Sequence, residues 1–455
     1  MPKQHLQCTA TPIEAVSINT LGASDIASLD DSTRALIDRR RKVMGPAYRL
    51  SYSQPFQPAR AMGTKIVDVH GDEFLDAYNN VVSVGHNHPR VVEAVSTQLG
   101  MINTNTRYLQ SDIVDYAENL MTTHDDALGS VMFTCTGSEA NDLALRIARH
   151  VTGGTGVIVS DYAYHGCTRD VSSWSPASGE GTALGSDVRT VAPPDTFRRG
   201  DADLDEWFLA SVRHQVDDMQ RHGIRLAAFV VDSLFSSDGI FPNPQTVLER
   251  VVDLVHDSGG LFVSDEVQSG FARTGDAMWG YQRNRIVPDL VTMGKPMGNG
   301  MPIGGVVAKH ELMNEFGENV PYFNTFGGEN VPIAAAQAVL DVIREEGLIA
   351  NAAKMGGMLS EGMRHILDET GHAADVRGAG MYIGVEFVRD LDAKSPDPET
   401  ARAVVNGMKD RRVLFSAAGP YANVLKIRPP LVFSESDVDR FLTAFDMVAR
   451  TVTPK

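Results

Sequence analysis

Short apolar runs rich in β-branched residues alternate with amphipathic stretches through the middle of the chain. The runs at residues 130–135, 156–160, 226–233, 261–264, 289–293 and 304–308 predict buried strands. Between them, residues 139–150, 203–222 and 245–258 carry apolar positions three and four apart, the spacing of one helix face. Alternation of this kind predicts an α/β layer with a mostly parallel sheet flanked by helices, because parallel neighbours need a crossover between them. In such sheets ligands bind beyond the carboxyl ends of the strands, which is where the chemistry is expected.

The two ends of the chain read differently. Residues 1–78 are irregular, with a hairpin signal at 65–75 where His70, Gly71 and Asp72 separate two apolar runs. After Pro332 comes an Ala-rich helical pattern, followed by strand patterns at 382–388 and 425–427. The expectation is a large domain over residues 79–330 and a smaller α+β domain assembled from 1–78 and 331–455. Residues 176–201 and 390–398 are rich in turn formers and lack periodicity, so both predict loops, the first of them a surface excursion.

Composition narrows the class. With 455 residues and 43% of them hydrophobic, the chain can bury the cores of two or three domains, which excludes whole-chain disorder. A formal charge of −17 disfavours nucleic acid and anionic membrane surfaces as partners, although a local basic pocket is compatible with it. The three cysteines, Cys8, Cys135 and Cys167, show no paired spacing, which fits a reducing compartment better than a disulfide framework. No apolar run approaches the roughly 20 residues of a membrane span, and the first residues lack the pattern of a signal peptide, so a cytoplasmic protein is expected.

Three local motifs can carry chemistry, and each also has an ordinary reading. Thr136-Gly-Ser-Glu-Ala-Asn141 follows one predicted strand and opens a helix, where small residues and exposed amides favour a phosphate. Taken alone, it is a common helix cap. Asp265 and Glu266 lie just past the strand at 261–264. A carboxylate there can keep a heterocyclic nitrogen protonated, ligate Mg²⁺, or cap the next turn. The chain has no Gly-x-x-x-x-Gly-Lys-Ser/Thr, so the nucleotide-triphosphate version lacks its partner. Lys295 closes the run Pro288-Asp-Leu-Val-Thr-Met-Gly-Lys, just after the strand at 289–293, and precedes a glycine-rich turn. If desolvated it has a depressed pKa and can form a Schiff base; otherwise it is a surface lysine.

Other patterns carry less. Gly378, Gly380 and Gly384, like Gly179, Gly181 and Gly185, space as a dinucleotide loop but lack a strand-turn-helix setting. His86 and His88 resemble a metal pair, yet Pro89 and the absent third ligand favour a turn.

A phosphate cradle, an acid for a pyridine nitrogen and a Schiff-base lysine are together what pyridoxal 5'-phosphate requires. Their order resembles the fold-type I enzymes of the class III aminotransferase family over residues 39–430. The motifs that carry the resemblance include Val84-Gly-His-Asn-His-Pro, Asn103-Thr-Asn-Thr-Arg-Tyr-Leu, Asp112-Ile-Val-Asp-Tyr-Ala, Gly137-Ser-Glu-Ala-Asn-Asp-Leu-Ala-Leu-Arg and Asp161-Tyr-Ala-Tyr-His-Gly. Within the family they are most similar to the branch of ethanolamine-phosphate phospho-lyase and phosphohydroxylysine phospho-lyase.

That resemblance implies a homodimer with shared active sites and pyridoxal 5'-phosphate as cofactor. It implies Lys295 as the Schiff-base lysine, Asp265 as partner of the ring nitrogen, and Gly137 and Ser138 at the cofactor phosphate. Tyr164 would stack on the ring, Gln268 would lie near its phenolic oxygen, and Thr325 would be lent to the neighbouring subunit's phosphate site. Arg428, in Lys426-Ile-Arg-Pro-Pro-Leu, matches the arginine that grips the substrate's anionic group. Asn80, Arg107 and Tyr52 are further candidates for the substrate wall. The implied activity is elimination of phosphate from a small phosphorylated amine such as O-phosphoethanolamine, with transamination to a keto acid as the alternative. A non-catalytic protein on this scaffold would have no need to keep Lys295, Asp265, Gly137 and Ser138 together. Two departures from the family pattern fall near the substrate end: Asp232-Ser233 where relatives show Glu-Pro, and Glu329-Asn330 where Asn-Pro is common.

Overall fold

The computed structural model describes residues 19–200 and 202–452; Cys8 and the start of the 1–78 segment lie outside the described residues. Seven strands form the main sheet: β1 (Ser130–Thr134), β2 (Gly156–Ser160), β3 (Val188–Val191), β4 (Leu226–Val231), β5 (Leu261–Asp265), β6 (Leu290–Met293) and β7 (Gly304–Ala308). Their spatial order is β1-β7-β6-β5-β4-β2-β3. Strand β7 runs antiparallel to both neighbours, and the other pairs are parallel. Every residue of β2, β4, β6 and β7 is buried. Helices cover both faces, which is why these strands read as continuous apolar runs and not as alternation.

Strand β3 corrects the expectation that residues 176–201 form only a surface excursion. Val188-Arg-Thr-Val191 pairs in parallel with β2 at the sheet edge, burying its two valines while the residues between stay half exposed. Four residues, half of them polar, are too short a run to stand out from the turns around them. Arg189 is anchored by Asp218, 2.6 Å away, on the neighbouring helix Leu204–Arg221. Helix α1 (Gly137–Thr152) buries the face carrying Ala140, Leu143, Ala144, Ile147 and Ala148. The third predicted helix begins at Glu249, after a turn at 245–248.

The chain ends meet in a second sheet. The predicted hairpin is present as Lys65–Asp68 and Glu73–Asp76, antiparallel to each other. Glu73–Asp76 also pairs in parallel with Val413–Leu414, so N-terminal and C-terminal segments share backbone hydrogen bonds. A third, antiparallel sheet orders Ala374–Ala379, Tyr382–Phe387, Val424–Ile427 and Ser416–Ala418. Gly378 and Gly384 sit in the hairpin of its first two strands and Gly380 turns it with φ +49°. That hairpin is not a dinucleotide loop. His86 pairs with Asp76 at 2.7 Å and His88 with Glu346 at 3.2 Å, each on a separate carboxylate. Among the described residues no helix is long and apolar enough to cross a membrane.

Helix Leu348–Thr370 carries two consecutive glycines with opposite roles. A Cβ on Gly356 would lie 1.9 Å from the Gly380 carbonyl oxygen, whereas a Cβ on the exposed Gly357 would meet nothing within 4 Å. Backbone cannot yield as a side chain can, so Gly356→Ala is expected to cost about 1–3 kcal/mol. Gly357→Ala should instead stabilise by about 0.5–1 kcal/mol through helix propensity. Urea unfolding of the two variants against the parent checks both signs.

Candidate active site

Three adjacent parallel strands end at one cavity of about 310 Å³, lined by Ser138, Tyr164, Asp232, Asp265, Gln268 and Lys295 among others. Asp232 directly follows β4, Asp265 ends β5, and Lys295 lies two residues beyond β6. The parallel register therefore brings three charged groups, far apart in sequence, to the same edge of the sheet.

Asp265 is 4% exposed and its carboxylate is held from several sides. Asn141 Nδ2 donates to Oδ2 at 2.9 Å, His165 Nδ1 to the same oxygen at 2.7 Å, and the Val267 amide to Oδ1 at 3.0 Å. Burial pushes its pKa up, but the His165 and Asn141 interactions outweigh burial and leave it below the usual carboxylate range. Asn141 is fixed in turn by Thr292 Oγ1, 2.7 Å from Oδ1, and by the His165 carbonyl, 2.7 Å from Nδ2. Glu266 points elsewhere and is saturated by the Ser264 and Ser269 hydroxyls and the Gly280 and Tyr281 amides, all within 2.9 Å. It is a structural carboxylate. Among the described residues no group of three or more His, Cys, Asp or Glu is placed to hold a metal ion.

The start of α1 forms one wall. Thr136 caps it by accepting from the Glu139 amide at 3.1 Å, and Glu139 reaches back to the Cys135 amide at 2.7 Å. The first-turn amides of Gly137 and Ser138 have no helix carbonyl to donate to and sit on the cavity. Close packing needs glycine here: a Cβ on Gly137 would lie 2.8 Å from Val267 Cγ2, and one on Gly294 would lie 3.0 Å from the Gly137 backbone. Gly166, with φ +149°, packs against Ser138, and the Cys167 amide donates to Ser138 Oγ at 3.1 Å.

Lys295 is half-buried on the cavity, and among the described residues nothing accepts a hydrogen bond from its ammonium. Burial and the nearby Arg428 lower its pKa, partly offset by Asp265 and Asp232. Arg428 is itself 7% exposed; its Nη1 donates to Gln268 Oε1 at 2.7 Å and its guanidinium lies 4.6 Å from the Tyr78 ring centre. Asn80 Nδ2 donates to the Gln268 carbonyl at 3.1 Å. The loop at 83–85 is tied to the lysine turn by Ser83 Oγ donating to the Pro296 carbonyl at 2.9 Å and by Asn299 bridging Val84 and Gly85.

Other sequence candidates lie apart. Tyr52 is buried away from the cavity lining, donating to the Phe415 carbonyl at 2.9 Å, with φ +70°. Arg107 stacks on Phe323, 3.9 Å from its ring centre, along a separate surface cavity of about 1100 Å³. Thr325 is exposed on that same side. Asn103 bonds Glu329 and the Val331 amide, and Asn330 accepts from the Thr104 amide. The 103–109 motif and the Glu329-Asn330 departure thus belong to one surface and are not part of the Lys295 cavity lining. Two residues that hold Asp265 were not singled out by sequence. His165 gave no signal beyond its motif, but Asn141, one turn past Gly137 on an apolar helix face, was a polar residue where a core residue is expected.

Known proteins resemble this chain over most of its length. The family model described as Aminotransferase class-III matches residues 48–448. An alanine–glyoxylate aminotransferase 2-like protein of Drosophila melanogaster is 39% identical over 92% of this chain and 88% of its own length. The ethanolamine-phosphate phospho-lyase homolog 1 of Caenorhabditis elegans is 35% identical over 96% of this chain and 98% of its own. The solved structure of a phospholyase from Arthrobacter in complex with phosphoethanolamine is 42% identical, with a TM-score of 0.88 over 91% of this chain and 99% of that one.

The Asp265 network yields a stability test. Asn141→Ala removes one donor to Asp265 and the acceptor for Thr292, and should cost about 1–3 kcal/mol at neutral pH by urea unfolding. Because the folded pKa of Asp265 is depressed, its contribution is present above the unfolded carboxylate pKa of about 4 and is lost as pH falls through the folded value. Part of the gap between variant and parent should therefore close in acid.

Proposed function

Because the chain belongs to the class III aminotransferase family, whose members depend on pyridoxal phosphate and share the fold-type I architecture, we propose that it uses this cofactor to eliminate phosphate from a small phosphorylated amine, most simply O-phosphoethanolamine. The residues present fit the cofactor. Gly137 and Ser138 bring first-turn helix amides to the cavity, Asp265 is a buried acid whose pKa is held down, and Lys295 is a half-buried lysine with no hydrogen-bond acceptor among the described residues. When bound, the cofactor supplies an aldehyde that takes up amines and a ring that accepts an electron pair from the adjacent carbon.

On this reading Gly137 and Ser138 hold the cofactor phosphate and Tyr164 covers the ring, with Gln268 near its phenolic oxygen. Asp265 keeps a proton on the ring nitrogen, and the His165 and Asn141 hydrogen bonds keep Asp265 ionised for that task. Lys295, its pKa lowered, would hold the cofactor aldehyde before substrate arrives and would then remove a proton from the carbon that bears the substrate amine. Arg428 holds the substrate phosphate, which leaves with the electron pair of its carbon–oxygen bond. Addition of water to the remaining fragment balances the reaction as acetaldehyde, ammonia and inorganic phosphate.

The observation that carries elimination over transamination is the state of Arg428. Among the described residues it forms no salt bridge, and the nearby Asp232 is spent on its own turn, accepting from the Leu234 and Ser236 amides at 3.1 Å. A transaminase with a keto-acid second substrate benefits from a carboxylate that can neutralise this arginine in one half-reaction; here the cation stays available for an anionic leaving group. The likeness to the Arthrobacter phospholyase supports the same choice. The Drosophila relative's name favours transamination, which is the second reading.

The active unit on this reading is a homodimer. Thr325 lies on an exposed face together with Met101, Ile102, Leu109, Phe323 and Phe326, a concentration of apolar surface that a second copy would cover. Thr325 would then reach the partner's cofactor phosphate.

Incubating the cofactor-loaded protein with O-phosphoethanolamine and no keto acid should release phosphate and acetaldehyde together. Alanine formed from an amine plus pyruvate, with neither of those products, would establish the transaminase instead. Borohydride reduction followed by peptide mapping should place the cofactor on Lys295, and an unlabelled Lys295 would remove both enzyme readings. Arg428→Ala should raise KM for O-phosphoethanolamine by about 10–100-fold while the cofactor absorbance is retained.

A further inference from the structure

The turn after β4, residues 232–240, is strained. Phe235 and Ile240 have φ +46° and +66°, values that bulky and β-branched side chains rarely adopt, and both are buried. Such backbone persists where its surroundings fix it. On one side the fixing group is Arg377, whose Nε donates to the Ile240 carbonyl at 2.7 Å and whose Nη2 donates to the Gly239 carbonyl at 2.6 Å. Arg377 is paired in turn with Asp375 and Glu386, each at 2.7 Å, so the hairpin of Ala374–Ala379 and Tyr382–Phe387 clamps the turn.

On its other side the turn presents Asp238. This carboxylate is 6% exposed and, among the described residues, forms no salt bridge. Its oxygens accept from the end of β2 and the loop that follows: Ser160 Oγ donates to Oδ2 at 2.7 Å and the Tyr162 amide to Oδ1 at 2.8 Å. Burial, with Asp232 and Asp161 adding to it, outweighs these two bonds and pushes its pKa up to about 7. A carboxylate buried without a cation is a cost to folding, so packing alone does not account for it.

The loop that Asp238 grips supplies part of the cavity wall. Tyr164, His165 and Gly166 line the cavity, His165 donates to Asp265, and the Cys167 amide donates to Ser138 Oγ. Tyr164 lies between two anchored amides, Tyr162 on Asp238 and His165 on Ser175 Oγ at 3.0 Å. Ser175 belongs to the same connection between β2 and β3, whereas Asp238 ties the loop to the turn after β4.

We propose that Asp238 is a positioning residue for the cofactor: by holding the Tyr162 amide it sets where Tyr164 covers the pyridoxal ring and where His165 meets Asp265. The inference rests on the reading that this cavity takes pyridoxal phosphate, and it holds for elimination and transamination alike. Asp238 does not line the cavity and takes no part in proton transfer. What the Tyr162 amide needs is an oxygen acceptor. Asparagine offers one and can donate from Nδ2 to Ser160 Oγ, whereas alanine and leucine offer none.

Parent, Asp238→Ala, Asp238→Leu and Asp238→Asn are compared as full chains. Pyridoxal phosphate affinity is read by fluorescence on the cofactor-free forms, then circular dichroism of the cofactor band and kinetics on the loaded forms. Leucine keeps the buried volume, so the comparison does not depend on the truncated alanine variant folding. Asp238→Ala and Asp238→Leu should each bind the cofactor about tenfold or more weaker and lose much of the dichroism. Their kcat should fall about 10–100-fold while KM for O-phosphoethanolamine stays within about threefold. Asp238→Asn should remain within about threefold of the parent in every readout. Cofactor affinity within about twofold of the parent and unchanged dichroism in either apolar variant, whatever its urea midpoint, would overturn the assignment, as would an asparagine loss equal to that of leucine. A parent that takes up pyridoxal phosphate, shows this order of variants and transaminates upholds the role of Asp238 and removes the elimination reading. A parent that takes up none removes both.

Discussion

Everything at the site depends on keeping one carboxylate ionised out of water. Asp265 is nearly sealed at the end of β5, where burial alone would protonate it. The hydrogen bonds from Asn141 and His165 reverse that tendency, and each donor is itself locked: Asn141 by Thr292 on β6, His165 through its amide by Ser175. A helix, two strands and the loop after β2 are therefore cross-braced through a single charge. Glu266, one residue later and equally buried, uses four donors of its own to brace the turn at Gly280 and Tyr281. Adjacent carboxylates thus perform separate tasks because their side chains leave β5 in different directions.

A second constraint works in the opposite sense. Around Lys295 the fold gathers Arg428 and Lys426, and among the described residues neither forms a salt bridge. Asp232 is close enough to matter but is bound into its own turn. Assembling like charges at a partly buried site is unfavourable, and it is sustained by the surrounding core and by backbone ties such as the Arg428 amide to Ala77 at 2.9 Å and the Leu431 amide to Ser83 at 2.7 Å. The acidic exterior implied by the net charge of −17 therefore encloses a local positive field, the arrangement that favours a small anion.

Strands β2 and β4 to β7 were legible because burial on both faces writes an unbroken apolar run, and β2 and β7 begin and end where the pattern does. Strand β3 was not, because an edge strand of two valines around an arginine and a threonine has no such run. Lys295 and Asp265 were legible from their position after strands, and Gly137 and Ser138 from opening a helix. Tyr52 and Arg107 show the limit of motif proximity: lying near a matching segment did not place either side chain on the cavity.

The sequence by itself determined the α/β layering, the helix-opening phosphate-type turn and the order of lysine and aspartate, since each is written in local periodicity or in a residue's place after a strand. Only the tertiary structure decided that His165 and Asn141 keep Asp265 charged, that Asp232 turns inward on its own loop, and that Lys426 and Arg428 come together with no salt bridge among the described residues. Those are facts about charges separated by long stretches of chain, and their protonation is set by burial and by neighbours that no local window contains.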